Sequence, residues 1–296
     1  MPIRSAALAL SVVVVWGVNF VVIDEGLRGI PPVLFAAVRF VLVAIPAVFL
    51  VPRPQASWQA VTAVGLTMSA GQFAFLYLAL KVGMPPGLAS LVLQSQVVVT
   101  VALAALLLRE HVGRRQVVGL TVGVAGLVVV GLGRSASTPV LGVALTVVAA
   151  TSWALGNIRT RTLGLRSGLP LVVWSALVVP LPLLLVSLVV EGPASWVDAW
   201  HAWGWRQSAS TAYTVVLSTL FGYGVWNSLL ARHPASRVVP FALLVPVFGI
   251  AAAWLVQGTY PGPLELLGGL VLLAGAALTL WSPSPSPRAA AEVAEP

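Results

Sequence analysis

The stretch GMPPGLASLVLQSQVVVTVALAALLL, residues 83–108, is hydrocarbon almost throughout, yet Gln94 and Gln96 stand in its middle. A bilayer crossing takes roughly 20 apolar residues at about 1.5 Å rise each, and the run after Pro85–Pro86 meets that length. A spanning strand would alternate polar and apolar over about ten residues, so the unbroken run predicts helix. The same ruler carried outward finds ten such runs, near residues 5–23, 31–51, 58–80, 86–108, 115–133, 138–158, 170–190, 208–231, 236–257 and 262–281. Composition agrees with an all-α integral membrane protein. Of the 296 residues, 59% are hydrophobic and 8% charged, and mean hydropathy is +1.00. A soluble domain carries about a quarter charged residues.

The first run continues to about Ile23 without a small-residue cleavage site, so it is read as a retained span and not as a signal peptide. Residues 283–296, rich in Pro and Ser at their start, have nothing to bury and are expected to form a disordered cytoplasmic tail. Orientation follows from the basic residues of the loops. With the N-terminus inside, the inner segments hold eleven arginines, whereas the outer ones hold Arg28, Lys81, Arg134 and Arg206. That bias predicts both termini in the cytoplasm. The outer segment GPASWVDAWHAWGWR, residues 192–206, reads as a loop whose tryptophans sit in an interfacial belt.

The net charge of +8 is spread singly between apolar runs, which argues against a nucleic-acid partner. Zero cysteines exclude thiolate metal sites and cysteine nucleophiles. There is no phosphate-binding glycine loop and no HExxH, and His111, His201 and His233 lie in or beside loops. The reading is therefore a protein without metal or cofactor, and not an enzyme.

An internal duplication gives the architecture. SLVLQSQVVV (90–99) pairs with PFALLVPVFG (240–249), and QVVGLTVGVAG (116–126) pairs with ELLGGLVLLAG (265–275), at an offset of about 150. Trp16 with Asn19 likewise finds Trp153 with Asn157. Two five-helix repeats, 1–135 and 136–282, follow. Five is odd, so the second is inverted relative to the first. Inverted repeats that rock about a midplane site characterise secondary transporters.

Polar groups inside the spans should face the bundle or a wet cavity, because an unpartnered amide in hydrocarbon costs about 1 to a few kcal/mol. Helical stripes place Ser11, Trp16 and Asn19 together on the first span, and Thr62, Gly65, Ser69 and Gln72 on the third. Ser90 and Gln94 share a face of the fourth, Thr146, Trp153 and Asn157 one of the sixth, and Thr219, Tyr223, Trp226 and Asn227 one of the eighth. Gln96 points about 200° from Gln94, so both reach one cavity only if the helix is distorted there. Otherwise one meets a substrate and the other holds a neighbouring helix. Arg39, ~12 Å along the second span, is either a structural cation or an attractor for a substrate carboxylate. No Asp or Glu lies at a midplane, which leaves movement down a gradient or coupling through an unobvious group. Gly119, Gly123 and Gly126, with Gly268, Gly269 and Gly275, allow close helix contact, either as internal packing or as a homodimer seam through the fifth and tenth spans.

WGVNFVVI (16–23), Pro31–Pro32 with Arg39–Phe40, QFAFLYLAL (72–80) and GMPPGLASLVLQSQ (83–96) together resemble the EamA branch of the drug/metabolite transporter superfamily. SWALGNI (152–158), GYGVW (222–226) and LLVPVFG (243–249) extend the similarity into the second half, and it is greatest to exporters of O-acetylserine and cysteine. The resemblance implies a ten-helix exporter of small amino-acid metabolites in the bacterial cytoplasmic membrane, as monomer or homodimer. The alternatives are the same fold exporting other amino acids, such as threonine or aromatic ones, or amphiphilic drugs and metabolites, and, from a different class, an intramembrane enzyme or lipid flippase. The resemblance implies a cavity lined by Trp16, Asn19, Gln72, Gln94, Gln96, Trp153, Asn157, Tyr223 and Trp226. Two features depart from that pattern: the acidic pair Asp24–Glu25 ending the first span, and QGTYPG (257–262) ending the ninth.

Overall fold

The computed structural model describes residues 2–109, 113–133, 138–163, 168–233 and 238–280. Each of the ten expected runs holds helix, and no strand occurs among the described residues. The helices are α1 (Ile3–Gly26), α2 (Pro32–Val48), α3 (Trp58–Lys81), α4 (Pro86–Leu108), α5 (Arg114–Gly133) and α6 (Val140–Thr162). α7 is a bent pair, Gly168–Ala176 and Pro180–Val190, broken ahead of Pro180 as proline requires. α9 runs from Trp205–Ala212 through Tyr213–Phe221 to Gly222–Arg232. It follows a short helix, α8 (Pro193–Ala202). α10 joins a 3₁₀ segment, Val239–Leu244, to Val245–Gln257, and α11 is Pro263–Leu280. Among the described residues five helices are long and apolar enough to cross a membrane, α1 and α3–α6, and the α7 pair, bent by 40°, makes a sixth. α2, α10 and α11 hold shorter apolar helices, so the chain is a multi-pass membrane protein whose expected ten crossings remain a reading of sequence. The expected tail 283–296, with Glu110 and His111, lies outside the described residues.

The tryptophan-rich segment 192–206 differs from the expected loop. Pro193 at the first helical position starts α8, which buries Ala199 and leaves Trp200 82% exposed. Trp196 donates to Ser187 Oγ (2.9 Å), and Trp203 packs on Phe35 (5.7 Å between ring centroids). Half of the indole belt is therefore anchored in the protein.

Charges are placed at helix ends where backbone groups lack partners. The Glu191 carboxylate closes α7 and accepts from the amides of Val33 (2.9 Å) and Leu34 (3.1 Å) at the start of α2. An anion there satisfies orphan donors and complements the helix dipole. Lys81, at the end of α3, donates to the Leu27 and Ile30 carbonyls that follow α1. These contacts gather the α1, α3 and α7 ends with the α2 start at one end of the bundle.

The glycine stripes of α5 and α11 face each other within the chain. A Cβ on Gly126 would lie 2.3 Å from Leu272 N, and one on Gly275 would lie 2.3 Å from Gly123 N. One on Gly268 would lie 2.6 Å from Val130 N, so backbone meets backbone here. Of the two expected uses of these glycines, internal packing is the one seen within the chain. The outward faces of both helices, with Val117, Val124, Leu267 and Leu270, are exposed and apolar as lipid requires.

Candidate functional site

Both halves of the chain contain the same kinds of helix irregularity, about 150 residues apart. α3 widens into a π-helical stretch at Gly65–Gly71, and α9 does so at Tyr213–Phe221. A π turn inserts a residue and leaves carbonyls poorly matched to their own helix, so side chains can claim them. Ser152 Oγ on α6 donates to Thr67 O (2.7 Å), and Trp16 Nε1 on α1 donates to Ser218 O (3.0 Å). Each widened turn is thus held by a side chain of the other half.

The second irregularity answers how two amides share one segment. α4 breaks at Leu93–Gln94, where Gln94 N bonds Leu91 O and Gln96 N bonds Leu93 O, both at 3.1 Å and three residues back. Residues two apart then stand about 120° from one another instead of about 160°, because a 3₁₀ turn has about 3 residues. Gln94 and Gln96 therefore both line one cavity. Its partner irregularity is the 3₁₀ segment of α10, which ends at Leu244 with ψ −12°, the same ψ as Gln94. Gln94 Nε2 donates to Ala242 O in that segment (2.8 Å), tying the two breaks together.

Every expected site residue borders this cavity of about 310 Å³: Trp16, Asn19, Gln72, Gln94, Gln96, Trp153, Asn157, Tyr223 and Trp226, and Arg39 with them. Trp16 stacks at a tilt on Tyr223 (5.3 Å) and Trp226 (5.2 Å), forming an aromatic wall. Asn157 Nδ2 donates to Gln96 Oε1 (3.1 Å) and to Thr100 Oγ1 (3.5 Å). Asn19, Gln72 and Arg39 are buried, whereas Gln96, Asn157, Thr160 and Trp226 are half-buried, so the chamber deepens away from the Thr160 side.

Arg39 is 2% exposed. Nη1 donates to Tyr77 Oη (3.2 Å), Nη2 to Thr219 Oγ1 (3.0 Å), and the guanidinium lies 4.0 Å from the Phe73 ring centroid. No carboxylate pairs with it among the described residues. A buried cation held only by hydroxyls and a ring face is an incomplete site, because buried charges are ordinarily paired.

Six buried side-chain atoms lack a hydrogen-bond partner in the described structure. Four belong to cavity residues, namely Asn19 Oδ1, Gln72 Oε1, Arg39 Nε and Trp153 Nε1. Buried polar groups are normally satisfied by protein or by water, so these four atoms are open to water or to a hydrogen-bonding guest.

Other residues of the expected stripes do not reach the chamber. Ser11, Ser90 and Thr146 donate to carbonyls three or four residues back in their own helices. Gly65 packs on the Ser175 carbonyl. Sequence reasoning missed the contributions of α7, through Leu171 and Val172, and of Phe73, Met68 and Thr160. The lone arginine of α2 was the signal for a cavity on that side, since a guanidinium in a span demands polar company.

Fold and site together define a polytopic helical membrane protein around a largely apolar chamber set with a few amides and one guanidinium. The chain belongs to the EamA-like transporter family, whose model matches residues 3–132 and again 140–281. It is 43% identical over 278 residues to a probable amino-acid metabolite efflux pump of Salmonella typhimurium, covering 92% of this chain and 93% of that relative. It is 40% identical, with the same coverage, to the protein of that description in Escherichia coli. A probable terminal-alkyne amino-acid exporter of Streptantibioticus cattleyicolor is 29% identical over 67% of this chain and 65% of its own length. A crystal structure only 20% identical in sequence shares the fold, with a TM-score of 0.64 over 93% of this chain and 95% of the other.

Proposed function

We propose that this chain is a secondary exporter of small amino-acid metabolites of the O-acetylserine and cysteine type, working by alternating access in the bacterial cytoplasmic membrane. The observation that carries the reading is the cavity's four unpartnered polar atoms, Arg39 Nε among them, in a chamber that both halves enclose. Arg39, without a carboxylate of its own, takes the substrate carboxylate. The amides of Asn19 and Gln72 take its ammonium and polar side chain, and the indoles exclude water around it. A cavity of about 310 Å³ suits a small amino acid. The names of the 43% and 40% identical relatives support the substrate class.

In this reading residues 1–135 and 136–282 are two five-helix repeats of opposite orientation. Paired π stretches and paired 3₁₀ breaks support it. The eleven-to-four arginine and lysine bias supports a cytoplasmic position for the Thr160 side and both termini. The aromatic wall of Trp16, Tyr223 and Trp226 favours a second reading, export of an aromatic amino acid.

Counterflow in proteoliposomes separates them. Labelled O-acetylserine and cysteine should accumulate against unlabelled counterparts, and tryptophan should not. Accumulation of tryptophan alone would transfer the assignment to the second reading. No counterflow with any amino acid would end both.

A further inference from the structure

The acidic end of α1 and the C-terminal end of α10 meet in space. Gln257, the last residue of α10, donates from Nε2 to Asp24 Oδ2 (2.7 Å) and to Glu25 Oε1 (3.3 Å) at the end of α1. Glu25 also pairs with Arg28 (2.5 Å) and with Arg206 of α9 (3.7 Å). Gln207 donates to Arg28 O (2.9 Å), and Ser210 to Val22 O (2.7 Å). Beneath this polar cap α1 and α10 form a dry seam of Val21, Ala252 and Ala253. Deeper still, a Cβ on Gly17 would lie 2.8 Å from Val245 O. The seam thus runs from the cavity wall at Val245 to the bundle end remote from Thr160, and one half of the chain supplies α1 while the other supplies α9 and α10.

We infer that Asp24, Glu25, Gln257 and Arg206 form a releasable latch that holds this end of the chamber shut and must part for cargo to leave there. The inference rests on the alternating-access reading above. Its chemistry suits a contact that has to break. Across the two halves the contacts are a neutral amide facing two carboxylates and one long, partly exposed ion pair, Arg206 with Glu25 (3.7 Å), in place of close buried ion pairs. Gly258, at φ +68°, ends α10 directly after Gln257, so the donor sits beside a residue whose backbone other side chains rarely adopt. The carboxylates remain half-buried at the rim, where water can take over their hydrogen bonds when the helices separate.

The natural absence of cysteine allows a direct test on the full chain. Val21→Cys puts a thiol in the dry seam. Modification of that thiol by a membrane-impermeant thiosulfonate reagent, added from outside to intact cells, reads opening at the Asp24 end without any substrate. With Gln257→Leu added, the rate should rise about tenfold, as expected from loss of a hydrogen bond to a charged acceptor. With Gln257→Lys added, it should fall below that of Val21→Cys alone. Separately, Asp24→Cys with Gln257→Cys should export when reduced and stop when oxidised. Equal modification rates in all three backgrounds, or full export by the cross-linked protein, would overturn the latch. If the double variant is inactive even when reduced, the modification rates alone decide. Normal counterflow alongside unchanged rates would remove the latch and keep the transporter, whereas shifted rates without counterflow would do the reverse.

Discussion

The chain carries two Trp–Asn pairs, and the chamber uses them in opposite ways. In the first half Trp16 is tethered, its Nε1 donating to Ser218 O, while the Asn19 side chain has an unpartnered Oδ1. In the second half Asn157 is tethered to Gln96 and Thr100, while Trp153 Nε1 is unpartnered. Gln94 reaches across to α10, but the residue at the matching break there is Leu244, which offers no amide in return. The scaffold repeats and the free groups do not. A site built this way offers unlike free groups, two amide oxygens beside a guanidinium Nε and an indole Nε1.

The sharpest way to break the comparison is to part its scaffold. Gly126→Leu pushes a side chain into the Leu272 backbone, and overpacking of a tight contact costs roughly 1–3 kcal/mol even where neighbours can yield. Backbone cannot yield, so this variant should fail to give a monodisperse peak in detergent, whereas Val124→Leu on the lipid face should behave as wild type. Arg39→Gln comes next. Loss of a charged donor for the substrate carboxylate, on the order of 3 kcal/mol, should lower counterflow roughly a hundredfold. Its melting temperature should shift little, because relief of a buried charge with no ion pair among the described residues offsets the lost hydrogen bonds to Tyr77 and Thr219.

Gln94→Leu cuts one inter-helix bond of the kind worth about 0.6–2 kcal/mol, and should slow counterflow about tenfold with a measurable loss of thermal stability. The smallest pair of effects is the most discriminating. Trp16→Phe strands the Ser218 carbonyl and should lower the melting temperature. Trp153→Phe removes only a free donor and should raise KM a few-fold, about 1 kcal/mol, at unchanged melting temperature. Equal behaviour of the two variants would mean that the two halves serve the substrate alike.

Most of the fold could be read directly, because lipid leaves a backbone few choices and long apolar runs become helices. The residues of the chamber were legible for a related reason: an amide or guanidinium inside hydrocarbon is conspicuous, and Asn19, Gln72, Gln94 and Arg39 stood out by that alone. Their arrangement was not legible. No proline or glycine marks the break at Gln94, so that its joint orientation with Gln96 follows from packing against Ala242, far away in the chain. The π stretches carry only glycines at their margins, Gly65, Gly71 and Gly222, which also serve ordinary packing, and the contact of Asp24 with Gln257 joins residues from opposite halves. The short helix α8 was missed because its tryptophans read as a membrane belt, although Trp196 and Trp203 serve internal contacts. The glycine stripes could be seen, but whether they met each other or a second copy depended on tertiary structure.

The central claim is that cargo occupies the chamber bounded by Arg39, Asn19, Gln72 and Trp153. Thr160 borders the same cavity on its half-buried side, and Thr160→Cys would be the sole thiol of the chain. Its modification by a soluble thiosulfonate in purified protein should slow as O-acetylserine is added, with half-protection near the counterflow KM, and Arg39→Gln should abolish that protection. A modification rate that stays constant at saturating concentrations of every transported amino acid would contradict the account.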